Sequence, residues 1–203
     1  MTTPDEQAGL RWLGLVGTVI GAMLFALLIQ WLLVKPYRIP SASMVPTLDI
    51  GERVLVDRFS NRFSGPQVGD IWVFHPPSGA DLENPAQACA TPRLDGRACL
   101  EARPGVSEQT FIKRVVGGPG DRIAVSDGHV IRNGRKIPEP YAVRCQEEIC
   151  ELQTFRVPAD HYFMMGDNRG DSNDSRYWGP VARDEMIGHA FATYWPVRRI
   201  GGL

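Results

Sequence analysis

The sequence predicts a mainly β protein: one antiparallel β-sheet domain preceded by a single N-terminal transmembrane helix. Three observations predict it. Residues 13–34 read LGLVGTVIGAMLFALLIQWLLV, with Thr18 and Gln30 as the polar side chains. Beyond that run, short segments rich in β-branched and aromatic residues recur, as strands do. Two dipeptides, Asp127-Gly128 and Asn133-Gly134, each stand between apolar residues and accept the positive φ of a two-residue hairpin turn.

The bulk numbers set the limits. A chain of 203 residues holds one core and an appendage. Its 22 lysines and arginines nearly cancel 23 aspartates and glutamates, so no strong field recruits nucleic acid. With 21 glycines and 16 prolines, strands joined by turns are favoured over helical bundles.

The elements follow in chain order. At about 1.5 Å per residue, roughly 20 apolar residues span a bilayer's hydrocarbon core, and the run from Leu13 to Val34 meets that length. Trp12 and Trp31 stand near its two ends, where interfacial anchors belong. A cleaved signal peptide is the rival reading. Its apolar region is usually about 7–15 residues and is followed by a small-x-small ending, whereas here KPYRIPSAS follows a longer run. Residues 1–36 therefore read as a tail and retained anchor, and 37–203 as the β domain. Its strands are read at 53–59, 70–75 and 110–116, then across the hairpins of 121–137, and at 154–158, 161–166 and 186–197. The proline-containing stretch 76–104 reads as an insertion tied by a disulfide.

Orientation draws on two opposed signals. Arg11 precedes the helix and Lys35 and Arg38 follow it, which by positive-inside counting favours the cytoplasmic side for the domain. The cysteines oppose this. Four of them fall in two local pairs, Cys89 with Cys99 and Cys145 with Cys150, as disulfides in an oxidising compartment do. Spacings of nine and four intervening residues suit zinc poorly, and the four histidines are scattered. The cysteine pairs outweigh two positive charges, so the domain is placed outside the cytoplasm.

For chemistry, several familiar patterns fail. No G-x-S-x-G elbow exists. GDSND at 170–174 matches trypsin-like enzymes for three residues only, and the RGD at 169–171 is a chance-length match. DNRGDSNDSR breaks the EF-hand pattern, with Arg169 at its third ligand position and no glutamate at the twelfth. VVGGPGD lacks the Gly-Lys-Ser/Thr of a P-loop and reads as a turn. No metal or cofactor is expected. What remains is a serine activated by a neutral lysine. Such a lysine must be buried, which lowers its pKa. Lys113, in TFIKRVV, shares a strand face with Phe111 and Val115.

Four blocks follow the apolar run in order: SASMVPTL (41–48), GDIWVF (69–74), KRVVGGPGD (113–121) and GDNRGDSNDSRYWG (166–179). Together they resemble the bacterial type I signal peptidases, membrane-bound Ser-Lys proteases, from the helix to about Gly188. The resemblance implies a serine endopeptidase of the cytoplasmic (inner) membrane, single-pass, with its catalytic domain on the periplasmic side. Its substrates are the signal peptides of exported preproteins, cleaved after small residues at −1 and −3.

Carried over by position, the nucleophile falls on Ser43 and the general base on Lys113. Ser41 falls on the oxyanion-hole serine and Ser172 on the serine that orients the lysine amine. Asp167, Asp174 and Arg176 fall on the bracing residues. By analogy, Tyr37, Ile39, Met44, Leu48, Phe111 and Ile112 line the substrate pocket. One departure stands out: the family commonly has Asp-Asn where Gly170-Asp171 stand here. The alternative from another class is an anchored β domain that binds peptides and is catalytically silent. It has no use for Ser43, Lys113 and Ser172 together.

Overall fold

The computed structural model describes residues 4–59, 63–82, 88–90, 99, 101–145 and 150–203. The chain divides into two units, residues 1–35 and 36–203. The first is a helix, α1 (Pro4–Leu33). Its side chains are described at Trp12, at residues 14–28 and at Leu33. Those from Leu15 to Leu28 expose leucine, valine, isoleucine, methionine and phenylalanine on every side. Thr18 turns its hydroxyl back onto the carbonyl of Gly14, 2.9 Å away, so its polar group is satisfied within the helix. Among the described residues no helix is long and apolar enough to cross a membrane. Residues 14–28 alone fall short of a span, and the predicted run, residues 13–34, lies partly outside the described side chains.

The second unit is β-rich. The strands are β1 (Val34–Arg38), which starts at the last two residues of the first unit, then β2 (Arg53–Asp57), β3 (Ile71–Phe74), β4 (Phe111–Gly117), β5 (Arg122–Ser126) and β6 (His129–Arg132). They continue as β7 (Arg135–Lys136), β8 (Leu152–Arg156), β9 (His161–Met165), β10 (Val181–Ala182), β11 (Met186–Trp195) and β12 (Gly201–Gly202). One sheet runs β1-β2-β11-β3-β4-β9-β10, with β12 paired to β11; a second runs β7-β6-β5-β8. The registered pairs are antiparallel.

The hairpins form where the dipeptides place them. Asp127 and Gly128 have φ of 50° and 67°, and Asn133 and Gly134 of 54° and 78°, the positive values that asparagine, aspartate and glycine tolerate. Cys89 is bonded to Cys99 and Cys145 to Cys150. Within the insertion, residues 83–87, 91–98 and 100 lie outside the described residues. Its described ends pair through Pro77 with Val106 and Cys89 with Ala102. Ala80 and Ala88 enter a core built on Trp72, Phe74, Met164 and Trp178.

Three apolar clusters hold the domain. One lies around Trp178, a second between the sheets around Ile123, Phe155 and Phe163, and a third around Met44, Leu48, Val54 and Val73. Strand β4 serves all three: Val115 enters the first, Val116 the second and Ile112 the third. The short helix α2 (Ser175–Trp178) delivers Trp178 to the first cluster.

Buried charge is the other structural element. Arg114 donates to both carboxylate oxygens of Asp167, at 2.8 and 2.6 Å, and Asp167 is fully buried. Removing one partner of such a pair leaves the other charged and desolvated, at a cost of about 3–5 kcal/mol. Asp167→Ala is expected to lower unfolding stability by that order in denaturant titration. The double variant Asp167→Ala/Arg114→Met is expected to recover part of it.

Candidate active site

Ser43 sits in a single 3-10 turn, Ala42–Met44, directly after the extended residue Ser41 (φ −134°, ψ 165°). The turn is pinned on both sides. Ile39 accepts from the Gly51 N–H at 2.8 Å and donates to the Glu52 carbonyl at 2.9 Å. Met44 and Leu48 are fully buried in the third cluster. Glu52, buried, receives Arg199 from near the C-terminus, and Arg199 also donates to the carbonyls of Pro46 and Thr47. Ser43 is thereby 6% exposed, with Ser41 Oγ 3.2 Å from its own Oγ.

Lys113 reaches this serine from β4, a central strand flanked by β3 and β9. Its Nζ donates to Ser43 Oγ at 2.8 Å and to the Ile112 carbonyl at 3.1 Å. It lies 5.3 Å from the centre of the Phe111 ring, on the face that strand alternation assigns to both. Burial lowers its pKa to about 8. Asp174 and Asp167 oppose that shift by favouring the ammonium, and Arg176 adds to it, but desolvation dominates. The expected hydrogen bond from Lys113 to Ser172 is not made: the second acceptor is the Ile112 carbonyl. The Ser172 hydroxyl is buried and faces Asp174, whose pKa it helps to lower.

The segment 166–176 closes the site from the other side. A Cβ at Gly166 would fall 2.4 Å from the Ser43 carbonyl and 2.2 Å from Ser172 Oγ, so the loop passes Ser43 at a distance only glycine permits. Asn168 donates its N–H to the Ser43 carbonyl at 3.1 Å and its side-chain amide to the Ala42 carbonyl at 3.3 Å. Three buried arginine–carboxylate pairs fix this loop. Arg114 holds Asp167. Arg176 binds both oxygens of Asp174 at 2.8 Å, and Arg169 binds Glu139 through two nitrogens. Burial pulls the Asp174 pKa up, yet the Arg176 guanidinium outweighs it and the net shift is downward. Asp174 also caps α2 and accepts the Gly166 N–H at 3.1 Å.

Sequence reasoning placed Asp167, Asp174 and Arg176 in this brace and missed Arg114, Glu139, Arg169, Asn168 and Thr47, whose hydroxyl donates to Asp167; it also missed Arg199 on the turn after Ser43. Arg114 follows Lys113 directly, so a charged pair in an apolar strand was the available signal. The partners of the rest are remote in sequence, as with Arg199 and Glu52.

A cleft of about 420 Å³ opens beside the pair, lined by Ser41, Ser43 and Lys113. Tyr37, Ile39, Phe111 and Ile112 line it as anticipated. Met44 and Leu48 do not: they point into the core, because an apolar side chain on each end of the turn is what anchors it. Arg38, Gln109, Asp171 and Asn173 complete its walls.

Comparison with known proteins defines the class. Residues 12–195 match the family model described as signal peptidase, peptidase S26. A protein of Synechocystis sp. named "Probable signal peptidase I-2" is 36% identical over 201 residues, 99% of this chain and 80% of its own length. A second from the same organism, "Probable signal peptidase I-1", is 38% identical over 182 residues, covering 90% and 82%. "Signal peptidase I" of Leptolyngbya laminosa is 34% identical over 195 residues, covering 96% and 82%. The molecule is a serine peptidase, a hydrolase. The chain belongs to the signal peptidase family, peptidase S26, and its relatives place it with signal peptidase I.

A lysine with a lowered folded-state pKa opposes folding wherever it must carry a proton. The unfolded chain holds that proton up to about 10.5 and the native site releases it near 8. Stability therefore rises with pH across this window. Lys113→Met is expected to stabilise the protein at pH 7 by about 3 kcal/mol, at about 1.4 kcal/mol for each pKa unit. The gain shrinks toward pH 10, as read by unfolding at the two pH values.

Proposed function

We propose that this chain removes signal peptides from exported precursor proteins, cutting after small residues at −1 and −3 with a Ser43–Lys113 dyad. The observation that carries the reading is the buried Lys113 amine, 2.8 Å from Ser43 Oγ and neutral above about pH 8. In this mechanism Lys113 takes the Ser43 proton as the hydroxyl attacks the scissile carbonyl, then returns it to the departing amine. Ser41 Oγ and the Ser43 N–H donate to the oxyanion. Ser172, whose hydroxyl is buried, is assigned as the group that orients the amine. Small-residue selectivity is assigned to the cleft wall that Ile39, Phe111 and Ile112 form beside Ser43.

The same proposal places the enzyme at a bilayer, with the domain outside the cytoplasm. The exposed apolar side chains of α1 lose their contact with water only in lipid, and the two cysteine pairs fit an oxidising compartment. On the β domain, Phe63 is 78% exposed, Val197 69%, Ile200 61% and Trp195 50%, and Phe59 packs its ring on Phe63. These aromatic and aliphatic groups are assigned to the membrane interface, where such side chains partition. Protein lacking residues 1–34 is expected to float with liposomes at low salt. Its remaining wholly in the aqueous fraction contradicts this part of the reading.

Cleavage of an exported precursor in detergent tests the activity, with Ser43→Ala as the control. The rate is expected to rise with pH through a midpoint near 8, because the neutral amine is the base. Lys113→Arg keeps a cation but cannot surrender its proton, and is expected to be inactive. Ser41→Ala is expected to lose roughly 10²–10³ in rate, the usual size for one oxyanion donor. An active Lys113→Arg enzyme sinks the dyad.

A further inference from the structure

The loop 166–176 carries three aspartates, and two are consumed by arginines. Asp167 is held by Arg114 and Asp174 by Arg176. Asp171 is different. It is exposed and lines the cleft, and its side chain makes no hydrogen bond or ion pair among the described residues. Its backbone N–H donates to the Asn168 carbonyl at 3.1 Å, which fixes the turn without using the carboxylate. It occupies the second of the two places where the sequence departs from the usual Asp-Asn, so the acidic residue stands one position later here, beside Ser172.

Its position within the cleft follows from its neighbours. Ser172, the next residue, and the Ser43 carbonyl both close on the same point beside Gly166. Asp171 therefore stands at the catalytic end. Arg38, also exposed, lines the same cleft from β1. Two residues, Ile39 and Pro40, stand between it and Ser41, at most about 10 Å of chain. Apart from Lys113, these two are the charged residues of the lining. An extended peptide advances about 3.3 Å per residue, so Arg38 addresses a substrate position within about three residues of Ser41.

We propose that Asp171 makes this cleft charge-selective: it favours a basic and rejects an acidic substrate side chain next to the scissile bond. Arg38 imposes the opposite preference at a second position along the same cleft. This rests on the peptidase reading of the site and names a property of its substrates beyond small residues at −1 and −3. Asp171 acts on the substrate and not on the base: the carboxylates that bear on Lys113 are Asp174 and Asp167.

The test uses the full chain in detergent with a peptide of neutral flanks. Lysine, glutamine or glutamate is placed singly at each position from four residues before the bond to two after it. The quantity read is the ratio of kcat/KM for the lysine and glutamate peptides at each position, which does not depend on how much active enzyme a variant yields. An exposed pair changes binding about two- to fivefold, so opposite charges on the substrate separate by roughly tenfold. That ratio is expected at one position beside the bond in the wild type. It falls toward one in Asp171→Asn, inverts in Asp171→Lys, and shrinks in the wild type at about 0.5 M salt, where screening is strong. Arg38→Gln is expected to relax an acidic preference at a second position and to leave the first unchanged. Ratios equal at every position for wild type and Asp171→Asn overturn the proposal. Failure of wild type to cleave the neutral peptide, or its cleavage by Ser43→Ala, overturns instead the peptidase reading beneath it.

Discussion

The constraint on which the site depends is the desolvation of one amine. Lys113 is 4% exposed, on a central strand that serves all three apolar clusters. Water cannot solvate its ammonium there, and the pKa falls to about 8. Every other feature of the site keeps that condition compatible with a nearby hydroxyl. The turn at 42–44 must bring Ser43 within hydrogen-bond reach, and Met44 and Leu48 lock the turn from beneath. The loop at 166–176 must exclude water without placing an unpaired charge against the amine. Each of its three inward-facing ionic partners is matched to a carboxylate or guanidinium by two hydrogen bonds.

This arrangement explains why so much charge is buried in a small domain. Asp174 and Asp167 both favour the ammonium form of Lys113, and left unpaired they would restore its proton. Arg176 and Arg114 neutralise them at 2.6–2.8 Å and are themselves satisfied further, by the carbonyls of Arg169 and Gly69. Arg114 also lies 3.9 Å above the ring of Tyr141. The pairs are poor sources of net stability, since desolvation offsets most of their attraction. What they supply is a loop of fixed course past Ser43 whose local field leaves the lysine basic only in its neutral form.

Much of the β architecture was legible because local rules agree with the global fold. The paired Asp-Gly and Asn-Gly turns, and the β-branched runs at 53–57, 71–74 and 111–117, each specify their element without help from elsewhere. Ser43, Lys113 and the serine-rich block after β9 were legible by resemblance, and the cysteine pairing by spacing. The rest was not readable for a physical reason: it consists of contacts between remote residues. Nothing near Arg199 announces that it will brace the turn after Ser43 through Glu52. Nothing near Glu139 announces Arg169. The pocket assignment failed at Met44 and Leu48 because sequence proximity to a nucleophile does not say which way an apolar side chain points. The same side chains that could line a cleft are the ones that must anchor it.

The central claim is that burial beside Ser43 lowers the Lys113 pKa to about 8, so that the amine is neutral above that pH. Direct titration of that amine is the sharpest measurement. The chain has three lysines, Lys35, Lys113 and Lys136, so a lysine-labelled sample in detergent gives three side-chain signals by NMR, with Lys113 assigned by its loss in Lys113→Met. The account predicts that this signal titrates with a midpoint near 8. A Lys113 midpoint near 10.5, the ordinary value for a lysine amine, would contradict it.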